Sequence, residues 1–164
     1  MKIETGYKPG IIGDIVEMHA RYYNEKSGFG ATFEAKVASG LADFVPRLAK
    51  PCNQIWHISR GGKISASITI DGEDLKENTA HLRWFIVNDA LRGTGAGNQL
   101  IQRAANFCDA GHFDKCVLWT FKGLDAAKRL YEKNRFDLVE EWEGNQWGTI
   151  VTEQRYERIS QGSG

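Results

Sequence analysis

Three glycines in five positions, Gly93, Gly95 and Gly97, follow Arg92 shortly after the apolar run Phe85-Ile86-Val87. With Thr94 and Ala96 between them, they lead into an amphipathic stretch that begins Asn98-Gln99-Leu100-Ile101. Closely spaced glycines leave the backbone bare, so its N–H groups can approach a ligand. A helix N-terminus adds unpaired N–H groups and a partial positive charge. Together these suit a phosphate or pyrophosphate, and Arg92 adds a formal charge with a forked donor. A tight strand-to-helix turn would need one or two glycines, not three and an arginine.

Spacing separates the phosphate loops that compete for this stretch. A P-loop closes on Gly-Lys-Ser/Thr, whereas Gly97 is followed by Asn98-Gln99. A dinucleotide fingerprint reads G-x-G-x-x-G with an acidic residue about 20 positions on. Here the pattern is G-x-G-x-G, and Asn98 holds the place of the third fingerprint glycine. What remains is R-x-x-G-x-G, filled by Arg92, Gly95 and Gly97.

That motif resembles the acyl-CoA-binding motif of the GNAT superfamily of N-acetyltransferases. A second run, Ala127-Lys128-Arg129-Leu130-Tyr131-Glu132-Lys133-Asn134-Arg135-Phe136, resembles the family's A-x-x-L-Y-E-K-x-G-F segment. The stretch Leu82-Arg83-Trp84-Phe85 and the ending Val151 to Glu157 are similar to GNAT domains often fused to MarR-type regulators, here without one. The resemblance covers nearly the whole chain. It implies transfer of an acetyl group from acetyl-CoA to a primary amine, by direct attack in a ternary complex.

The resemblance also implies roles. The backbone of Phe85, Ile86 and Val87 would pair with the pantetheine arm, and the segment Arg92, Gly93, Thr94, Gly95, Ala96 and Gly97 would hold the pyrophosphate. A strand N–H could polarise the thioester carbonyl. Tyr131 is the candidate general acid, since a phenol stays protonated at neutral pH and can donate to a departing thiolate. His81 falls where several relatives place a base, and an imidazole suits proton removal; His57 is a weaker alternative, and a water could serve instead. Alternation predicts His81, Arg83, Phe85 and Val87 on one strand face, with Leu82, Trp84 and Ile86 on the other. Two positions depart from the family pattern: Arg135 replaces the usual glycine, and Leu124 replaces an asparagine seven residues before the tyrosine. The acceptor is expected between the first two helices and the final hairpin, lined by Tyr22, Tyr23, Phe33, Trp142 and Trp147, with Glu141 or Glu143 attracting a cation.

Composition bounds the rest. With 21 basic and 21 acidic side chains in 164 residues, no overall field favours nucleic acid or an anionic membrane. No apolar run reaches the roughly 18 residues of a membrane span, and Met1 to Thr5 lacks a signal-peptide core. Cys52, Cys108 and Cys116 are odd in number and lack C-x-x-C spacing, which reads as reduced thiols in a cytoplasmic protein with no metal site. The expected partner is a small-molecule amine, with a homodimer left open.

The elements that must position these groups follow from periodicity. Ile3 to Tyr7 reads as a strand; the stripes from Ile11 to Tyr23 and from Phe33 to Leu48 read as helices, the second ended by Pro51. Ile55 to Ser59 and Ile64 to Ile70 read as a hairpin across Gly61-Gly62, followed by a strand from His81 to Val87. Leu100 to Cys108 is a helical face, Cys116 to Phe121 a buried parallel strand, and Asp125 to Lys133 a helix. Leu138 to Trp142 and Trp147 to Tyr156 read as a last hairpin. The resulting order, β-α-α-β-β-β-α-β-α-β-β, is that of a GNAT-like α/β domain with a mixed, largely antiparallel sheet over residues 1–160, and a loose tail at 161–164. Two other readings stand beside the small-molecule enzyme: a non-catalytic acyl-CoA sensor, and a protein or peptide Nα-acetyltransferase.

Overall fold

The computed structural model describes residues 1–162 of the chain. Its strands are β1 (Glu4–Thr5), β2 (Gln54–Arg60), β3 (Lys63–Asp71), β4 (Thr79–Val87), β5 (Lys115–Phe121), β6 (Asp137–Gly144) and β7 (Val151–Ile159). Helices α1 (Ile11–Ser27) and α2 (Ala31–Phe44) precede β2; α3 (Ala96–Ala110) follows β4, and α4 (Asp125–Lys133) follows β5. The element order is the one expected from periodicity. One sheet runs β1-β2-β3-β4-β5-β7-β6, antiparallel except where β4 meets β5.

Each face of the sheet is covered by the helices whose apolar stripes point at it. On one face, Ile11 and Ile15 of α1 and Phe33, Val37 and Leu41 of α2 pack with Ile55, Ile64 and Phe121. On the other, Leu100, Ile101, Ala104 and Cys108 of α3 and Tyr131 of α4 pack on Ile68, Ile70, Leu82 and Leu118. Helix α2 is shorter than its apolar stripe, ending at Phe44 in a 3₁₀ turn over Val45–Arg47. Pro46 is the reason, because it has no N–H to carry an α-helical bond. The Gly61-Gly62 turn has φ of 57° and 82° at its two residues, the left-handed geometry of a two-residue hairpin turn.

The feature that shapes the site is a bulge in β4. Ser67 pairs with Ile86 and Thr69 with Arg83, so Trp84 and Phe85 together oppose Ile68. Trp84 takes φ +50°, a conformation that bulky residues rarely adopt. Its indole is held by Phe44 at 5.8 Å between centroids and by the Arg83 guanidinium 4.0 Å over the ring. Gly40 of α2 makes room, since a Cβ there would sit 2.8 Å from the indole. The bulge overturns the alternation expected along this strand. Leu82, Phe85 and Val87 pack with the α3–α4 core, whereas Trp84 packs with the α1–α2 core, opposite to strict alternation. His81 and Arg83 therefore do not share a face with Phe85 and Val87.

Just before the bulge, β4 and β5 part. Their pairing covers only Thr79–His81 against Lys115–Val117. Beyond it the two strands diverge and a gap opens through the sheet. The last hairpin closes over one side of that gap. Its connecting loop carries Trp147, whose ring lies 5.7 Å from Phe121 and 6.3 Å from Phe29. Trp147 thus belongs to the loop rather than to β7. In the C-terminal stretch, Gln161 donates its backbone N–H to Asp109 at 2.9 Å. Ser163 and Gly164 of the expected tail lie outside the described residues.

Candidate active site

The glycine segment forms one wall of a groove of about 450 Å³. Asn88 starts the turn by accepting the Ala90 N–H on its side chain, and Leu91 is buried beneath it. Gly93 and Gly95 have φ of 75° and 85°, and Gly95 stands immediately before α3. The backbone N–H groups of Gly93, Gly95, Gly97 and Asn98 meet no protein acceptor among the described residues. Four free donors at the head of a 15-residue helix are what an anionic group requires. Gly97 is needed for a different reason: a Cβ there would come within 2.9 Å of Leu130, so glycine lets α3 lie close to α4 and β4.

Phe85, Ile86, Val87, Arg92, Gly93, Gly95, Ala96 and Gly97 all line the groove. Thr94 does not; its hydroxyl turns inward to donate to the Leu91 carbonyl at 2.5 Å, bracing the loop. Arg92 is paired with Asp89 at 2.6 Å and lies 5.0 Å over the Tyr22 ring. Lys26 of α1 adds a second cation to the same wall, and Leu124 contributes an apolar surface in place of an amide. The groove thus combines unpaired amides with two cations, a composition that fits a CoA-type phosphate.

A second cavity, of about 200 Å³, lies at the gap between β4 and β5. Tyr23 and Phe85 line both cavities, so the two meet there. Because the strands have parted, residues from opposite faces of the sheet reach this one space. His81 enters from the α1–α2 side and Tyr131 from the α3–α4 side.

Tyr131 is 6% exposed, with its ring 6.2 Å from Phe85, 6.0 Å from Phe136 and 5.4 Å from Tyr156. Burial pushes its phenol well above the ordinary value, and no hydrogen bond to its hydroxyl offsets that among the described residues. The O–H stays protonated and remains available.

His81 bonds Asp74 through Nδ1 at 2.6 Å, and its ring meets Trp119 edge-on at 5.0 Å. A carboxylate can only accept, so Nδ1 carries the hydrogen and Nε2 keeps the lone pair in the neutral ring. Behind Asp74 stands an ionic cluster centred on Asp71, which is fully buried. Arg47 donates to both Asp71 oxygens, at 3.1 and 2.7 Å, and Arg83 reaches Asp71 at 3.4 Å and Asp74 at 3.5 Å. Burial opposes the charge on Asp71, but these bonds outweigh it and hold the carboxyl below the usual range. Glu73 is drawn down to about 2 by hydrogen bonds from Lys50, Arg47 and Asn53.

The other candidates divide. His57 is buried at the β1 side with Nε2 on the Gly6 carbonyl at 3.1 Å, away from both cavities. Tyr23, Phe33 and Trp147 line the second cavity, whereas Tyr22 lines the glycine groove. Trp142, Glu141 and Glu143 line neither, and Glu141 is engaged by Gln154 at 2.7 Å. Three wall or supporting residues escape sequence reading: Asp74, His19 and Lys36. Asp74 lies in an irregular loop with no periodicity. His19 sits in the apolar stripe of α1 and reads there as core. Lys36 is an exposed residue of α2 between the buried Phe33 and Val37, a pattern that reads as a solvated lysine and does not report the cavity it borders.

The profile of the acetyltransferase (GNAT) family matches residues 14–136, three quarters of the chain. No curated protein sequence matches it. Among solved structures, a GNAT-family acetyltransferase from Staphylococcus aureus Mu50 superposes with a TM-score of 0.75 at 15% identity, covering 98% of this chain and 100% of that one. A structure of yncA from Salmonella typhimurium with its cofactor acetyl-CoA gives 0.75 at 11% identity, over 98% and 95% of the two chains. A variant of the spermidine N-acetyltransferase SpeG from Vibrio cholerae gives 0.68 at 14%, also over 98% and 95%. At such identities the likeness is one of fold. The family profile, spanning the strand, the glycine loop and the tyrosine helix, carries the assignment: this chain belongs to the GNAT family of acetyltransferases.

Proposed function

We propose that this chain transfers an acetyl group from acetyl-CoA to the primary amine of a small or amino-acid-like acceptor, by direct attack with both substrates bound. The observation that carries this reading is the junction of two cavities at Tyr23 and Phe85, one walled by free amides and cations, the other by His81 and Tyr131. Bound acetyl-CoA supplies the activated acetyl thioester. The loop amides from Gly93 to Asn98, with Arg92 and Lys26, hold its phosphates. His81, fixed in one tautomer by Asp74, takes the proton that the acceptor must lose before it attacks. Tyr131 presents its O–H as a donor to the negative charge that develops on the departing sulfur. The narrowness of the second cavity, about 200 Å³, favours a small acceptor over a polypeptide.

Release of free thiol, measured with a panel of small amines, tests the assignment. Tyr131→Phe keeps the ring packing and removes only the hydroxyl, so kcat is expected to fall by about a hundredfold with acetyl-CoA affinity unchanged. His81→Gln is expected to act similarly on kcat. Full kcat in Tyr131→Phe removes the donor role, and acetyl-CoA binding without thiol release from any amine points to a sensor.

A further inference from the structure

The acceptor cavity is unusual in its charge. Two cations, Lys36 and Arg83, line it, and among the described residues no aspartate or glutamate does. Arg83 already faces Asp71 and Asp74, so most of its charge is answered within the protein. Lys36 is different. Its ammonium donates only to neutral oxygens of Gln146, the backbone carbonyl at 3.1 Å and the side-chain amide at 3.3 Å. Among the described residues no carboxylate pairs with it. Aromatic rings form much of the rest of the wall: Phe33, Phe121 and Trp147, the last two 5.7 Å apart, and Trp119 edge-on to His81, with Val37, Leu82 and Leu118 also lining it.

A second polar group faces the same space. His19 is 5% exposed and lies in the wall, with Nδ1 donating to the Ile15 carbonyl at 2.8 Å. That bond leaves Nε2 as an acceptor with no protein partner among the described residues. Burial drives the imidazole down to about 4, so it remains neutral and presents a lone pair at any physiological pH. One acceptor nitrogen, one unanswered cation and an apolar body between them describe a ligand with matching parts.

We infer that the acceptor is an aromatic α-amino acid, with its carboxylate on Lys36, its amine N–H groups toward His19 and His81, and its side chain among the aromatic residues. The inference rests on the acetyltransferase reading and narrows its substrate. A polyamine fits poorly: its remaining ammonium groups would meet Lys36 with no carboxylate in the wall to receive them, a like-charge placement that selects against it.

The test compares phenylalanine, phenylalaninamide, phenethylamine and spermidine as acceptors in thiol release. Phenylalanine is expected to exceed each of the others by about tenfold or more in kcat/KM, the worth of one charge-assisted bond. The amide has the less basic amine and is the more easily neutralised, so chemistry alone would rank it first. Lys36→Met is expected to raise KM for phenylalanine by about three- to tenfold while leaving the amide unmoved, and Lys36→Arg to restore it. An unmoved KM in Lys36→Met, or equal use of the amide, overturns the inference. Turnover of spermidine or phenethylamine without phenylalanine also overturns it and leaves the acetyltransferase reading standing. Acetyl-CoA binding with no thiol release from any of the four overturns both.

Discussion

The glycine-walled groove and the cavity at the β4–β5 gap share Tyr23 and Phe85, yet they are built in opposite ways. The groove is a backbone site. Its donors are main-chain amides set by two left-handed glycines over a single stretch of chain, with Arg92 and Lys26 as added charge. The cavity is a side-chain site, drawn from α1, α2, β4, β5, α4 and the last hairpin loop. A backbone site is preorganised as soon as its turn forms. A side-chain site can change its ligand residue by residue while the fold stays the same.

The sharpest way to break this comparison is to block the backbone site alone. In Gly95→Leu the added Cβ would meet nothing in the protein nearer than Gln99 at 3.9 Å, so the cost to folding is the left-handed strain, about 1–2 kcal/mol. The side chain would instead stand among the free amides. Loss of two charge-assisted bonds, at about 1.5–3 kcal/mol each, corresponds to at least about a hundredfold weaker acetyl-CoA binding. Calorimetry on the folded variant checks it. An unchanged Kd would mean that the loop amides do not hold the phosphate.

The same contrast explains what could be read from the chain without a structure. Gly93, Gly95 and Gly97 announce their site because the backbone geometry they permit is local, and so is the helix that follows. The element order was legible for the same reason: helical and strand periods are properties of neighbouring residues. The bulge at Trp84 was not. Alternation assumes an unbroken ladder, and nothing in Arg83-Trp84-Phe85 reports that Gly40, more than forty residues earlier, leaves space for the indole. Once the bulge and the gap between β4 and β5 are missed, the wall of the cavity at that gap is missed too. Glu141 and Glu143 were expected to attract a cation there, and the wall holds Lys36 and Arg83 instead. Asp74 was invisible because its partnership with His81 depends on an irregular loop folding back.

The cavity at the gap has its own weakness, a buried ion cluster that holds His81 and Arg83. Asp71 and Glu73 have folded values below their unfolded ones. Their stabilisation is therefore complete above the unfolded range of about 4. It is lost as pH falls through the folded values, to about 2 for Glu73. Arg47→Met removes the shared partner and leaves Asp71 buried with Arg83 as its one cation, beside the backbone N–H groups of Glu73 and Asp74. The expected cost at neutral pH is about 2 kcal/mol, below the value for a wholly buried pair because Arg47 is partly exposed. Thermal melts should also show a shallower loss of stability between about pH 4 and pH 2 than in the parent chain. Parallel curves would show that the cluster is not the source of acid sensitivity. The glycine groove, which contains none of these residues, should keep its acetyl-CoA affinity at neutral pH.

The smallest effect lies where the two kinds of construction meet, at the end of α4. Arg135 donates its N–H to the Glu132 carbonyl at 3.2 Å and Phe136 donates to the Tyr131 carbonyl at 2.9 Å. The Phe136 ring also packs on Tyr131. This is a Schellman cap, and it fixes the helix turn from which Tyr131 points into the cavity. Its left-handed position is the one such a cap normally gives to glycine, and Arg135 occupies it at φ +70°. The strain, about 1–2 kcal/mol, exceeds the extra chain entropy that glycine would cost, about 0.5–1 kcal/mol. Arg135→Gly is thus expected to stabilise the protein by about 0.5 kcal/mol, a rise in Tm of about 1–2 °C. Because the cap is unchanged, kcat should not move. A fall in Tm would mean that the Arg135 side chain, which bonds Gln161, contributes more than its backbone costs. A fall in kcat with Tm raised would mean instead that the strained cap itself sets the position of the Tyr131 hydroxyl.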